Sequence, residues 1–462
     1  MTAPVRLVVR DGRFLTMAPG RPDPFNGWMS VGHDGRIAGI GAGEPSGEAI
    51  TGADTIIDAH GSFVAPGFVS AHSHLFTSGT RGLGLDQALY GWIEAMTMWH
   101  RHLDAEDLYW MTFHGAIDFL NNGITTAYDF TSGRLEFSAE DAGRGSFQGV
   151  LRPPEHGEAQ IRAKVDAGIR FVNSVMLDDT VGTRADAIDR IDEIVGYSRR
   201  FEHHPCFLKM AVSGAVQWAP DRSTAELETE VMQRHGLINQ SHFLETPYAI
   251  DLQRSKFEWY RDAGALGPDL LFGHFVQATD DQIDDAAAHQ CGMVWQPTSN
   301  GRLASGIANI PRIREVGMRM GVGLDDQSCT DVSDPFMNMR MGIYLLRAVH
   351  KDPAAMPVRD MLELHTLESA RVLGVDDDVG SLEVGKYADF VVVDPRAPDT
   401  GPVWDDFGTY VLASSLRNLK QVWRGGELVS QDGVVVHVDA DEVSREVHER
   451  YARIRHNELA GT

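Results

Sequence analysis

Pro66-Gly67-Phe68-Val69-Ser70-Ala71-His72-Ser73-His74 is an apolar run that follows a Pro-Gly turn and ends in two histidines one residue apart. In a β-strand alternate side chains share a face, so His72 and His74 point the same way and both imidazoles can grip a single ion. With 19 histidines in 462 residues an H-x-H triplet arises by chance roughly 0.8 times. Context therefore matters: His100-Arg101-His102 has the same spacing but follows no apolar run, and it reads as loop or helix surface.

Three further apolar runs close on a group that binds metal or moves a proton: Ser241-His242-Phe243-Leu244-Glu245, Leu271-Phe272-Gly273-His274 and Gly321-Val322-Gly323-Leu324-Asp325. Three imidazoles and one carboxylate around a divalent ion, with a position open to water, is the ligand set of a catalytic rather than a structural site. Such an ion lowers the pKa of water from about 16 toward about 7. Glu245, three residues past His242, is placed to take that proton and pass it to a leaving nitrogen. His274 can stabilise developing charge or complete the metal shell. Taken singly, a strand-end histidine could cap a carbonyl, and Asp325 or Glu245 could hold an ion pair; jointly, six such residues at the ends of successive runs outweigh that reading. Asp326 and Asp331 read as loop solvation or support for a ligand, and Asp129 is ambiguous. Lys209 opens its run rather than closing it, so it reads as a snorkelling lysine, and one ion is expected rather than two.

The elements that must position these groups follow from hydrophobic texture. Eight strand-like runs alternate with helical stretches: 68–74, 125–129, 170–174, 207–212, 237–242, 270–275, 293–296 and 322–325. That alternation predicts an α/β chain with a (β/α)8 barrel, whose active site lies at the C-terminal strand ends. Short strands with Asp-Gly turns at Asp11-Gly12 and Asp34-Gly35, and again at Asp432-Gly433, predict a small β-sandwich built from both termini. The expected division is residues 1–66 with 375–440 for the sandwich, 67–374 for the barrel and 441–462 for a polar C-terminal helix suited to subunit contact. A helix from Asp104 as N-cap to Leu120 is scaffold. The long connection from Leu75 to Leu103, carrying Tyr90, Trp92, Met96, Met98 and Trp99, reads as a partly helical substrate lid.

Composition narrows the function. With 41 basic against 66 acidic residues, a formal charge of -25 repels nucleic acid and anionic membranes, which favours a small-molecule substrate. Cys206, Cys291 and Cys329 show no C-x-x-C spacing, so neither a disulfide framework nor a structural zinc knot is indicated. No basic-then-apolar leader and no 18-residue apolar window is present, and a cytoplasmic location is expected.

The chain resembles the amidohydrolase superfamily, in the branch of cytosine, guanine and S-adenosylhomocysteine deaminases and triazine hydrolases. The resemblance rests on Pro66-Gly67-Phe68-Val69 with His72-Ser73-His74, on Arg81-Gly82-Leu83, Trp92 and Gly123-Ile124-Thr125-Thr126, and on His242-Phe243-Leu244-Glu245. It continues through Pro297-Thr298-Ser299-Asn300 and Gly380-Ser381-Leu382-Glu383-Val384-Gly385-Lys386-Tyr387-Ala388-Asp389. It implies that His72, His74, His242 and Asp325 hold one metal ion, with Glu245 as proton shuttle and His274 as catalytic histidine. It implies the same barrel-plus-sandwich fold and a homo-oligomer, dimer or tetramer. Zinc is the first expectation for the metal, although such a ligand set also accepts iron, cobalt or manganese.

Two departures bear on substrate. Where the deaminases show a His-Ala-Pro-Tyr-type segment after strand four, this chain has Gly214-Ala215-Val216-Gln217-Trp218-Ala219-Pro220. After the strand-eight aspartate the usual glycine is replaced by Asp326. Trp92, Trp99, Trp218 and Asn300 are the candidate substrate contacts. The expected activity is cleavage of a non-peptide C–N bond in a compact, uncharged, apolar or heteroaromatic molecule, with nucleosides poor substrates. The alternative is a urea, carbamate or thiocarbamate hydrolase. A catalytically inactive binding protein is disfavoured because all six functional positions are filled.

Overall fold

The computed structural model describes residues 5–138, 146–148 and 150–460. Residues 1–4 of the expected first segment and 461–462 of the expected terminal helix lie outside the described residues. The chain divides into two compact units: Met1–Ser70 with Ile117–Thr126 and Ser333–Asp439, and Ala71–Ala116 with Ala127–Val332 and Ala440–Thr462.

In the first unit both termini supply one nine-stranded sheet. Phe63–Pro66 runs antiparallel to Phe390–Val393, with Val64 opposite Val392, and so ties the two ends of the chain together. β-branched and aromatic side chains suit a half-buried pleated surface, and Val9, Phe14, Met29, Val31, Phe390 and Trp423 bury in one cluster. Asp34-Gly35 turns between Phe25–Gly32 and Ile37–Ala42, with Gly35 at φ +77°. Asp11-Gly12 does not turn. The strand Val5–Phe14 runs through it, and the register shifts between Val9 and Gly12. Asp11 takes φ +50° there, which Asp tolerates better than most residues, so the expected hairpin is a bulge that bends one strand.

The second sheet contains eight parallel strands in chain order: Phe68–His74, Ile124–Phe130, Arg170–Val175, Phe207–Gly214, Ile238–Phe243, Leu270–His274, Gly292–Trp295 and Arg319–Val322, here strands one to eight. Strands two, three, five and six are buried along their whole length, as a sheet covered on both faces requires. The eighth departs from the expected single run 322–325. It breaks at Gly323-Leu324 and resumes as Asp325–Asp326, which pairs with strand one, Asp325 opposite Ser73 and Asp326 opposite His74. This short return closes the barrel. A Cβ on Gly323 would stand 2.5 Å from the His72 Cβ and 2.7 Å from its carbonyl oxygen, so only glycine lets the two backbones approach.

The Leu75–Leu103 connection is a 3-10 turn over Leu75–Thr80 followed by the helix Leu89–His100. In the next helix, Ala105–Asn121, the Asp107 N–H donates to the Asp104 side chain at 2.9 Å while Asp107 accepts from the Asp104 N–H at 3.0 Å, a reciprocal cap. The C-terminal helix Ala440–Ala460, expected to serve in subunit contact, packs one face against the Leu89–His100 helix of its own chain. Val447 and Ile454 bury with Trp99, Leu103, Leu108 and Met111. Trp99 stacks on Tyr451 at 5.8 Å between ring centroids, and Arg450 reaches Glu106 at 2.7 Å. Among the described residues no helix is long and apolar enough to cross a membrane.

Candidate active site

Strands one, five, six and the Asp325–Asp326 return bring four histidines and three carboxylates to the C-terminal end of the barrel. His74 Nε2 lies 3.3 Å from His72 Nε2 and 3.1 Å from His242 Nε2. Asp325 Oδ1 lies 3.3 Å from His72 Nε2 and 3.5 Å from His74 Nε2. Three ring nitrogens facing one another and a carboxylate at these distances fit ligands gathered around one cation better than a closed hydrogen-bond network, since no placement of protons satisfies all of them. The His72 Nδ1–H donates to Gln240 Oε1 at 2.5 Å, leaving the inward Nε2 with its lone pair. Burial and then the neighbouring His72 hold His74 down at about 3, and the same causes keep His242 well below the ordinary histidine value. These imidazoles are neutral, as metal ligands must be.

Burial opposes charge on Asp325, yet His72, His274 and His74 together hold its carboxyl well below the ordinary carboxylate range. Glu245 is the reverse: burial, and then the charge of Asp325, push its carboxyl well above that range. Glu245 Oε1 is buried without a hydrogen-bond partner, and Oε2 lies 3.6 Å from His274 Nε2. Two neighbouring carboxyls with opposite proton affinities are the arrangement that separates a ligand from a proton carrier. His274 and Asp325 both take φ +67°, a left-handed conformation that non-glycine residues rarely adopt outside sites where side-chain aim matters.

Asn300, expected as a substrate contact, instead supports His274: its amide nitrogen donates to His274 Nδ1 at 2.9 Å. The ring is held at about 3, burial being the main cause, so it is neutral and its proton sits on Nε2, the nitrogen 3.9 Å from Asp325 Oδ2. Asn300→Ala releases that tautomer. The expected result is a fall of about 10-fold to 100-fold in kcat with KM and bound metal little changed, checked by steady-state kinetics alongside elemental analysis.

Asp129, ambiguous in sequence, holds an ion pair with Lys164, which also donates to Asn173 Oδ1 at 2.6 Å. Asp129 accepts the Leu75 N–H at 2.9 Å, directly after His74, so this buried pair ties strands one, two and three together beneath the site. Lys164→Met leaves a buried charge unpaired and is expected to cost about 3–5 kcal/mol. A lowered urea midpoint, partly restored by adding Asp129→Asn, checks it. Lys209 is not among the cavity-lining residues, and Asp331 pairs at 3.0 Å with Arg302, the last residue of the helix Pro297–Arg302. Asp326, read in sequence as loop solvation or support for a ligand, is a buried cavity residue with Oδ2 3.7 Å from His74 Nε2, a position that goes with the second of these.

A cavity of about 1000 Å3, counted to its open mouth, rises from these groups. The lid helix presents Trp92, Ile93, Met96, Thr97 and His100 to it, one face of the helix, and Trp218 and Phe130 add aromatic surface. Trp92 and Trp218, the candidate substrate contacts, both line the cavity. Trp99 lies on the other face of the lid helix, buried against the C-terminal helix, and is not a cavity residue. Sequence reasoning missed Gln240, Phe130 and His100. Gln240 was accessible, since it shares the inward face of strand five with His242. Phe130, stacked on His74 at 4.8 Å, carried no signal beyond its hydrophobicity.

The model described as Amidohydrolase family matches residues 63–429. The chain belongs to the amidohydrolase family. This amidohydrolase is accordingly a hydrolase of carbon–nitrogen bonds other than peptide bonds. It is 27% identical over 456 residues to a 5'-deoxyadenosine deaminase of Methanosarcina acetivorans, covering 95% of this chain and 96% of that protein. It is 28% identical over 463 residues to a 5-methylthioadenosine/S-adenosylhomocysteine deaminase of Symbiobacterium thermophilum, covering 97% and 99%. In fold the amidohydrolase is similar to an adenosine deaminase of Xanthomonas campestris solved with bound zinc, with TM-score 0.84, 20% identity and coverage of 98% and 100%. It is also similar to the triazine hydrolase of Arthrobacter aurescens, with TM-score 0.82, 18% identity and coverage of 96% and 99%. The barrel with a β-sandwich of both termini is therefore the fold of the chain.

Proposed function

We propose that this amidohydrolase is a hydrolytic deaminase of a small amino-heteroaromatic compound, working with one zinc ion held by His72, His74, His242 and Asp325. The observation that carries the reading is the convergence of those four ligand groups with Glu245, whose carboxyl is protonated far more readily than that of Asp325. When bound, the ion supplies the positive charge that makes water acidic near neutral pH. Glu245 accepts the proton of the attacking water and delivers it to the leaving nitrogen. The His274 Nε2–H donates to the atom of the ring that gains charge. Asp325, kept ionised, combines ligand and acceptor roles, and the apolar lid residues Trp92, Ile93 and Met96 with Trp218 exclude water from the aromatic ring.

The relatives are named as deaminases of 5'-deoxyadenosine, 5-methylthioadenosine and S-adenosylhomocysteine, which supports loss of ammonia from a ring carbon. The apolar character of the lid favours urea or carbamate cleavage as the second reading. A panel of an aminotriazine, cytosine, guanine, S-adenosylhomocysteine, a phenylurea and a thiocarbamate, scored separately for ammonia and organic amine, decides between them. Ammonia from the ring amines supports deamination; amine from the ureas alone overturns it. The same reading takes the enzyme as a cytoplasmic homo-oligomer, with 1–66 and 375–440 as the sandwich domain, 67–374 as the barrel and 441–462 as a terminal helix.

A further inference from the structure

Trp218 reaches the cavity from the turn that follows strand four, and two buried ionisable side chains that do not themselves line the cavity hold that turn. Strand four ends at Gly214, where a Cβ would stand 2.7 Å from Asn239 Oδ1 and 2.8 Å from the Cβ of Ser241 on strand five. Glycine lets the chain leave the barrel this close to its neighbour. The Trp218 N–H then donates to the Ala215 carbonyl at 2.9 Å, and the Ala219 N–H donates to that of Val216 at 3.1 Å, so residues 215–219 form two overlapping turns. The Trp218 ring centroid comes to 5.5 Å from that of His242.

Lys256, buried at the junction of the helices Ile250–Ser255 and Phe257–Asp262, donates from Nζ to the Gln217 carbonyl at 2.5 Å and to the Ala219 carbonyl at 2.9 Å. Those carbonyls stand immediately before and after Trp218, so one ammonium bridges that residue. Glu228, fully buried on the helix Ser223–His235, accepts the Ala215 N–H at 2.7 Å, the Asn239 side-chain amide at 2.8 Å and the Tyr260 hydroxyl at 3.0 Å. Burial pushes its carboxyl up to about 7 against those three donors. Burying a charged group costs free energy that its hydrogen bonds have to offset. A turn of neutral residues needs no ionised pair to close; here the pair grips the start and the end of the segment that carries a cavity tryptophan.

We infer that Glu228 and Lys256 are positioning residues, which fix the 215–219 turn and with it the Trp218 ring as a wall against which an aromatic substrate stacks. They touch neither the substrate nor the reacting atoms and act through Trp218. This deepens the proposed deaminase reading by assigning recognition of the ring, and it rests on that reading for the aromatic character of the substrate. A wall already held in place binds a flat ring without the cost of ordering a loop. Loosening it therefore weakens binding while Glu245 and His274 keep their places.

The test is calorimetric binding of an aminotriazine and of a non-aromatic alkylurea of similar size to the metal-loaded enzyme, with steady-state kinetics on any ring amine that releases ammonia. Lys256→Met removes the donor to both carbonyls and should weaken aminotriazine binding about 10-fold or more, with KM rising and kcat changing less than about threefold. Alkylurea binding should fall less than about threefold, since it has no ring to stack. Glu228→Leu should act like Lys256→Met, whereas Glu228→Gln, whose amide oxygen still accepts the Ala215 N–H, should stay within about threefold of wild type. Lys256→Gln keeps one donor and serves if neither disruptive variant folds, with a smaller selective loss expected. A double-mutant cycle separates positioning from general loosening: in Trp218→Ala, itself weakened for the aminotriazine, Lys256→Met should add no further loss of affinity although it still lowers the urea midpoint. Equal losses for the two probes, aminotriazine affinity unchanged in Lys256→Met or in Trp218→Ala, a Lys256→Met loss that persists in Trp218→Ala, or no aminotriazine binding by the wild type overturns the inference. Selective loss of aminotriazine binding without release of ammonia from any ring amine leaves the positioning role standing and overturns the deaminase reading instead.

Discussion

Glu245→Gln retains bound metal and loses turnover by about 10²-fold or more. The substitution preserves the size of the side chain and its position 3.6 Å from His274 Nε2 but removes the oxygen that takes a proton. Burial and Asp325 already bias this carboxyl toward the protonated form, so it both accepts from water and releases to a leaving nitrogen. Glutamine does neither. The split between metal content and kcat is the readout: unchanged zinc by elemental analysis with a collapsed kcat supports the role. Near-normal turnover in Glu245→Gln would falsify it and make Asp326 the next candidate, since that carboxyl lies 3.7 Å from His74 Nε2 and is also pushed well above the ordinary range, by burial and then by Asp325.

Removal of the metal abolishes activity altogether, and the second large effect is in the ligands. Purified protein should carry about one transition-metal ion per chain, His72→Ala should carry none, and Asp325→Ala should lose both retention and turnover. The expectation follows from geometry. His74 Nε2 stands 3.3 Å from His72 Nε2 and 3.1 Å from His242 Nε2, so taking away one ring removes one of the nitrogens gathered at a single point. We place His274 outside the metal shell, because Asn300 donating to its Nδ1 leaves the proton on Nε2. Chelation followed by stepwise return of zinc should restore activity in proportion to occupancy up to one ion. Restoration that requires two ions per chain would overturn the mononuclear site. The group Asp325, Asp326 and Cys329, whose ligand atoms lie within 4.8 Å of one another, is where a second ion would be sought.

The barrel and the identity of the groups at its floor were legible in the sequence, because both follow from local pattern. Parallel strands covered on two faces must be continuous apolar runs, and a chemical side chain at the end of such a run lies at the C-terminal rim. His72, His74, His242, Glu245, His274 and Asp325 satisfy that rule within their own segments. The rest depended on which distant segments meet. Nothing within residues 319–326 shows that the eighth strand must break at Gly323-Leu324; the need arises from the backbone of His72, which leaves no room for a Cβ. Lys164 lies on a helix and pairs with Asp129 of strand two, so its function is invisible until the strands are assembled. The lid helix has two apolar faces, and sequence alone does not say which one meets substrate; the C-terminal helix, more than 300 residues away, decides it by taking Trp99 and leaving Trp92 and Met96 to the cavity. His100, set aside in sequence because no apolar run precedes it, is a cavity residue for the same reason: helix periodicity aligns it with Trp92, Ile93 and Met96, and packing of the opposite face turns that row inward.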